Sequence, residues 1–203
     1  HKIARRGKYL LLFIKPGCLL IHLGMSGHLR VLQNFEAPGK HDHIDLTLSS
    51  GKILRYTDPR RFGTWLWTTE PPERHPLLAH LGPEPLSKDF TANYLAKRAQ
   101  RRQQAIKQFI MDSKVVVGVG NIYANEALFY AGLHPQLPAG QLTLAQYQCL
   151  VKEIQRILRA AIQRGGTTLR NFLHGLNEGQ PGYFKQELQV YGRQGQACMS
   201  CHT

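Results

Sequence analysis

Tyr56-Thr57-Asp58-Pro59-Arg60-Arg61-Phe62-Gly63 puts two guanidinium groups and an aromatic ring on one turn between apolar runs. A Phe exposed between cations can wedge into a stack of bases while the guanidinium groups hold phosphates or an unpaired base. The same residue types also suit a core Phe62 with Asp58 paired to Arg60 or Arg61, and composition does not choose. His22-Leu23-Gly24-Met25-Ser26-Gly27 is similarly two-sided, since Met25 is either a probe or the filler of a core gap. Val117-Gly118-Val119-Gly120-Asn121 reads as a Gly-x-Gly turn into a helix, whose free N–H groups suit a phosphate. Alone it favours a tight turn with Asn121 as N-cap, but Lys97, Arg98, Arg101, Arg102, Lys107 and Lys114 upstream shift the balance toward an anion. His41 and His43 flank Asp42 as a solvated strand edge or a phosphate contact rather than a metal pair, and Lys8 beside Arg5 and Arg6 is by default a solvated strand-end charge. Cys198-Met199-Ser200-Cys201-His202 supplies two of the four ligands a tetrahedral zinc ion needs. It also matches a c-type haem attachment pattern, which would require export and a second axial ligand, neither of them evident.

The elements that must carry these residues change type along the chain. Tyr9 to Ile14, Cys18 to Leu23, His28 to Leu32, Ile44 to Leu48, Ile53 to Tyr56 and Thr64 to Thr68 are short apolar and aromatic runs separated by turn signals, which predicts an antiparallel sandwich or barrel. Ile44, Leu46 and Leu48 alternate with His43, Asp45 and Thr47. Five prolines between Pro71 and Pro85 read as a linker. After it the period is helical: Phe90 to Arg102, Ala105 to Met111, Ile122 to Ala131 stopped by Gly132, and Thr143 to Arg164 with a Thr143/Gln146 capping box. Arg170 to Gln189 is turn-rich and predicts a mobile loop, and Val190 to Arg193 predicts the first strand of a zinc hairpin.

Lys+Arg 26 against Asp+Glu 13 give a net charge of +13, which favours a nucleic-acid partner. An acidic membrane surface would want a basic amphipathic helix or a lipidation signal, and neither is found. No run is apolar enough to span a membrane and no leader is visible, so the cytoplasm is the default location. Four cysteines, with Cys18 and Cys149 isolated and expected in the core, suggest no disulfide framework.

Arg5 to Leu11, His22 to Gly27, Lys40 to His43, Tyr56 to Gly63, Val116 to Tyr123, Pro181 to Phe184 and Gln186 to Arg193, with the cysteines after them, stand in an order that closely resembles the bacterial formamidopyrimidine-DNA glycosylases. The resemblance covers essentially the whole chain. It implies an α+β multidomain fold: an N-terminal antiparallel β-sandwich catalytic domain over residues 1–70, lacking its N-terminus; a linker at 71–89; a helix-two-turn-helix domain with a lesion loop at 90–185; and the first half of a zinc finger at 186–203. It also implies a monomeric bifunctional enzyme of base-excision repair, acting on double-stranded DNA that contains an oxidised purine. In that family an N-terminal proline amine attacks C1′ of the everted nucleotide, the damaged base leaves, and the resulting iminium acidifies the sugar for β- and δ-elimination.

Lys8 then resembles the lysine that assists elimination beside the sugar and phosphate. Met25, Arg60 and Phe62 resemble the three side chains that fill the gap in the duplex, Arg60 facing the orphaned cytosine. His22, Asn121, Tyr191 and Lys8 resemble a phosphate clamp. His41, Arg60 and Arg102 resemble DNA contacts, with Lys107 a basic residue near them, residues 170–183 resemble the loop over the damaged base, and Cys198 and Cys201 resemble the first two zinc ligands. The family's proline-glutamate start, second cysteine pair and zinc-hairpin arginine do not occur here, so these 203 residues are read as a fragment without turnover of its own. An endonuclease VIII-type enzyme for oxidised pyrimidines, or a non-catalytic binder built on a helix-two-turn-helix element, are the alternatives.

Overall fold

Period-two patterning through the first third of the chain becomes two antiparallel sheets. The computed structural model describes residues 2–165 and 188–202 and divides into two compact units, His1–Ala79 and His80–Thr203, a boundary inside the proline-rich stretch. In the first unit β1 (Lys2–Arg6), β2 (Tyr9–Ile14), β3 (Gly17–His22) and β7 (Thr64–Thr68) form a sheet in the order β1-β2-β3-β7. The strands β4 (His28–Leu32), β6 (Ile53–Thr57) and β5 (Asp42–Thr47) form a second in the order β4-β6-β5. Leu11, Leu20 and Ile21 are buried within the first sheet, and the Tyr56 and Trp65 rings, 5.4 Å apart, join the two sheets. The polar run Lys2-Ile3-Ala4-Arg5-Arg6 is a strand that side-chain patterning missed. As an edge strand it needs only backbone pairing, Lys2 opposite Phe13 through Arg6 opposite Tyr9, while its cations reach water.

The proline-rich stretch is not wholly irregular. It holds a 3-10 turn (Pro72–Arg74) and α1 (Pro76–Ala79), with prolines at the starts, where no N–H is needed, and Leu78 buried. Beyond it come α2 (Ala92–Ala99), α3 (Ile106–Met111), α4 (Asn121–Tyr130) and α5 (Leu144–Gln163). They close around Leu95, Ile106, Phe109, Ile110, Leu128, Leu150 and Ile154. The capping box is present: the Gln146 N–H donates to Thr143 Oγ1 at 3.3 Å, and the Thr143 N–H to Gln146 Oε1 at 2.8 Å.

Several expectations are corrected. The first helix is shorter than Phe90 to Arg102, because the Thr91 side chain caps it and Arg101 adopts a left-handed φ of 61° just beyond it. Asn121 is the first helical residue, not the cap; extended Gly120 takes that place, after Gly118 at φ 88°. Cys18 is buried, but Cys149 lies exposed on α5. Residues 188–202 hold no strand among the described residues; Gly192 and Gly195 turn left-handed there, and the Tyr191 N–H is engaged by a helix side chain instead of a hairpin partner.

Candidate nucleic-acid interface

In the first unit the chemistry gathers at the ends of β2, β3 and β6. Strand register sets Tyr9 opposite His22, their rings 4.8 Å apart. The Gly24 N–H donates to His22 Nδ1 at 3.0 Å, which places the proton of the neutral ring on Nε2. Partial burial, then the Lys8 charge, lower the His22 pKa and keep the ring neutral. Lys8 itself is exposed, yet the protein around its ammonium lowers its pKa too.

Met25 is 62% exposed and Phe62 57%, so neither is a core residue, and the Arg60 guanidinium lies 4.9 Å from the Phe62 ring centroid. Asp58 is fully buried, and its carboxylate takes hydrogen bonds from the Ser26 hydroxyl, the Tyr56 hydroxyl and the backbone N–H groups of Arg60 and Gly63. Burial pushes its pKa up; these bonds outweigh burial and bring it down to about 2. Asp58 therefore binds the backbone of Arg60, leaving that guanidinium to the Phe62 face. A Cβ on Gly63 would fall 1.6 Å from the Tyr56 hydroxyl oxygen, and one on left-handed Gly24 2.6 Å from the Phe62 carbonyl carbon, so both positions require glycine.

His41 is half-buried, and its carbonyl accepts the Asp58 N–H at 2.9 Å, while His43 Nε2 meets the Asp58 carbonyl at 2.9 Å. Their neighbour Asp42 is engaged by donors of the fold itself. It accepts from the Thr57 hydroxyl, the Gly39 N–H, Arg30 and Arg55. Arg55, 1% exposed, also grips Asp45 and the carbonyls of Glu36 and Ala37. Sequence reading passed over Arg55; its signal is a lone cation inside an apolar strand.

In the second unit Asn121 is exposed in the first turn of α4. One turn on, Glu126 is 2% exposed and accepts the N–H groups of Gln189, Val190 and Tyr191 at 2.8, 3.0 and 2.9 Å. Helix α4 therefore carries Asn121 and holds Tyr191 as well. Glu126 was also missed, although an isolated carboxylate in Asn121-Ile122-Tyr123-Ala124-Asn125-Glu126-Ala127-Leu128 marks it. Arg102 is exposed after α2, and Lys107 is half-buried on α3. Cys198 and Cys201 share a turn in which the Ser200 N–H points at Cys198 Sγ and the His202 N–H donates to the Cys198 carbonyl. Among the described residues no three His, Cys, Asp or Glu stand together as a metal site. The expected loop at 170–183 lies outside the described residues.

Two family descriptions match the chain: the formamidopyrimidine-DNA glycosylase N-terminal domain over residues 1–65, and the formamidopyrimidine-DNA glycosylase H2TH domain over 81–172. Formamidopyrimidine-DNA glycosylases from Pectobacterium carotovorum and Escherichia coli are each 56% identical over 201 residues, 99% of this chain and 74% of theirs. The chain belongs to the formamidopyrimidine-DNA glycosylase family. Solved structures agree. The Lactococcus lactis glycosylase bound non-covalently to DNA containing an AP site superposes with a TM-score of 0.86 at 34% identity, covering 99% of this chain and 73% of that one. The MutM (Fpg) protein of Thermus thermophilus gives 0.88 at 36%, covering 100% and 74%. In this formamidopyrimidine-DNA glycosylase family member, the N-terminal-domain match falls within the first unit and the H2TH-domain match within the second. No described helix is long and apolar enough to cross a membrane.

Proposed function

We propose that this chain serves base-excision repair as a DNA glycosylase that removes oxidised purines from duplex DNA, with AP lyase activity following on the same sugar. The observation that carries the reading is the outward display of Met25 and Phe62 with the Arg60 guanidinium on the Phe62 ring, since solvent-exposed apolar side chains beside a cation suit the hole left by an everted nucleotide. Neutral His22, offering Nε2–H, and Lys8 suit the phosphates flanking that nucleotide; in the second unit, Asn121 and Tyr191 suit phosphate contacts of their own. His41, Arg102 and Lys107 extend the phosphate contacts. Lys8, with its lowered pKa, suits proton transfer during elimination. Cys198 and Cys201 fit two thiolate positions of a structural zinc ion, the Ser200 N–H already directed at one sulfur; such an ion would fix the turn. The protein is read as a cytoplasmic monomer working on DNA.

The full-length enzyme is expected to excise 8-oxoguanine faster than thymine glycol; the reverse order would favour the pyrimidine branch, and equal binding to intact and lesion duplexes a non-catalytic binder. A polypeptide of residues 1–203 alone, opening on His1 instead of proline-glutamate, is expected to give no borohydride-trapped adduct on an 8-oxoguanine duplex, and a trapped adduct would refute the role given to that amine.

A further inference from the structure

Met25 and Phe62 sit on two turns far apart in sequence, yet a wedge works only if both enter the duplex together. We propose that Asp58 is a positioning residue that locks the Met25 turn and the Arg60–Phe62 turn into a single inserting unit, a role that rests on the wedge reading above. One of its oxygens bridges the two turns and the other secures the Phe62 turn. Oδ1 takes the Ser26 hydroxyl, next to Met25, and the Arg60 N–H at 3.3 Å; Oδ2 takes the Tyr56 hydroxyl and the Gly63 N–H, each at 2.9 Å. Ser26 Oγ in turn accepts the Arg60 N–H at 3.2 Å, closing a ring of bonds across the two turns.

Two further observations show that this linkage leaves no slack. The Gly24 backbone abuts that of Phe62 and Gly63 so closely that a Cβ on Gly24 would lie within 2.8 Å of three of their atoms. Arg61, between Arg60 and Phe62, holds a left-handed φ of 58°, which a non-glycine residue keeps only where its surroundings over-determine it. The N–H groups of Arg60 and Gly63, on either side, end on the same carboxylate. The carboxylate is acceptor-only and takes bonds from both turns at once; an amide in its place would turn one donor toward donors.

A merely structural carboxylate would lower stability and leave the two wedge side chains acting together. A positioning carboxylate sets that cooperation. In the full-length enzyme, base extrusion followed by 2-aminopurine fluorescence beside 8-oxoguanine is measured for Met25→Ala, Phe62→Ala and the double substitution, in wild-type and Asp58→Asn backgrounds. In the wild-type background each single substitution is expected to slow extrusion about tenfold, and the pair little further. In the Asp58→Asn background the two effects become independent and multiply. Asp58→Asn alone is expected to lower kcat about tenfold with KM changed less than about twofold, and to cleave a pre-formed abasic site at close to the wild-type rate. The same Met25–Phe62 coupling in both backgrounds overturns the proposal while leaving the wedge reading intact. Single substitutions without effect on extrusion overturn the wedge reading and the proposal with it. If Asp58→Asn does not fold, Ser26→Ala and Tyr56→Phe, each removing one bond to the carboxylate, replace it as backgrounds in the same cycle: weakened Met25–Phe62 coupling is expected, and undiminished coupling in both overturns the proposal.

Discussion

Two buried carboxylates, Asp58 and Glu126, each collect donors from backbone that carries expected DNA-contacting side chains. Because the folded pKa of Asp58 is depressed to about 2 from an unfolded value near 3.9, its ionised bonds stabilise the fold above pH 4 and are lost as pH falls through 2. That contribution is about 2 kcal/mol, so the stability gap between wild type and Asp58→Asn in denaturant titrations is expected to shrink between pH 5 and pH 2. Glu126→Ala would orphan three N–H groups and is expected to cost about 2–4 kcal/mol in the same assay, with weaker DNA binding because Tyr191 loses its anchor. His22 has a lowered pKa, so nitrogen NMR at pH 6.5 is expected to report the neutral Nε2–H tautomer; a charged ring there would contradict the Gly24 hydrogen bond. The chemical types of these residues were plain in the sequence. Their partners were not, since Ser26 and Asp58, or Glu126 and Tyr191, meet only across the fold.

Local rules carried the secondary elements far. Thr143 with Gln146 marked the start of α5 and the structure forms both reciprocal bonds, so Thr143→Ala is expected to cost about 1 kcal/mol in thermal or urea unfolding. Gly132, at φ 64°, stops α4 as its type and position implied. The rules failed where tertiary pairing supplies what composition lacks. β1 is held by its backbone register against β2, with the Lys2 ammonium over the Phe13 ring, and the N–H groups of Val190, Tyr191 and Arg193 go to Glu126 and the Val190 carbonyl instead of a strand. Gly63→Ala tests the turn between β6 and β7. The added methyl meets the Tyr56 hydroxyl, and the variant is expected to lose most lesion excision while keeping the helical content seen by circular dichroism.

At the scale of the whole chain, the net charge of +13 and the exposed cations Arg60 and Arg102 predict that affinity for duplex DNA falls steeply with salt. Replacing Arg102 by Ala is expected to lower the slope of log K against log salt by roughly 0.9 if it neutralises one phosphate, with a similar loss for lesion and intact duplexes. Phe62→Ala should leave that slope unchanged and weaken lesion discrimination instead, because a ring that enters the stack releases no counterions.

The strands between Tyr9 and Thr68, helices α2 to α5, the basic character and the residues resembling a repair glycosylase were legible in the chain, because periodicity, caps and turn glycines act over a few residues. Whether Phe62 and Met25 faced outward, whether Asp58 held a guanidinium or a backbone, and what Arg55 and Glu126 were for depended on contacts between segments tens of residues apart. Burial and donor geometry decide such questions, and both exist only once each unit has closed around its own core.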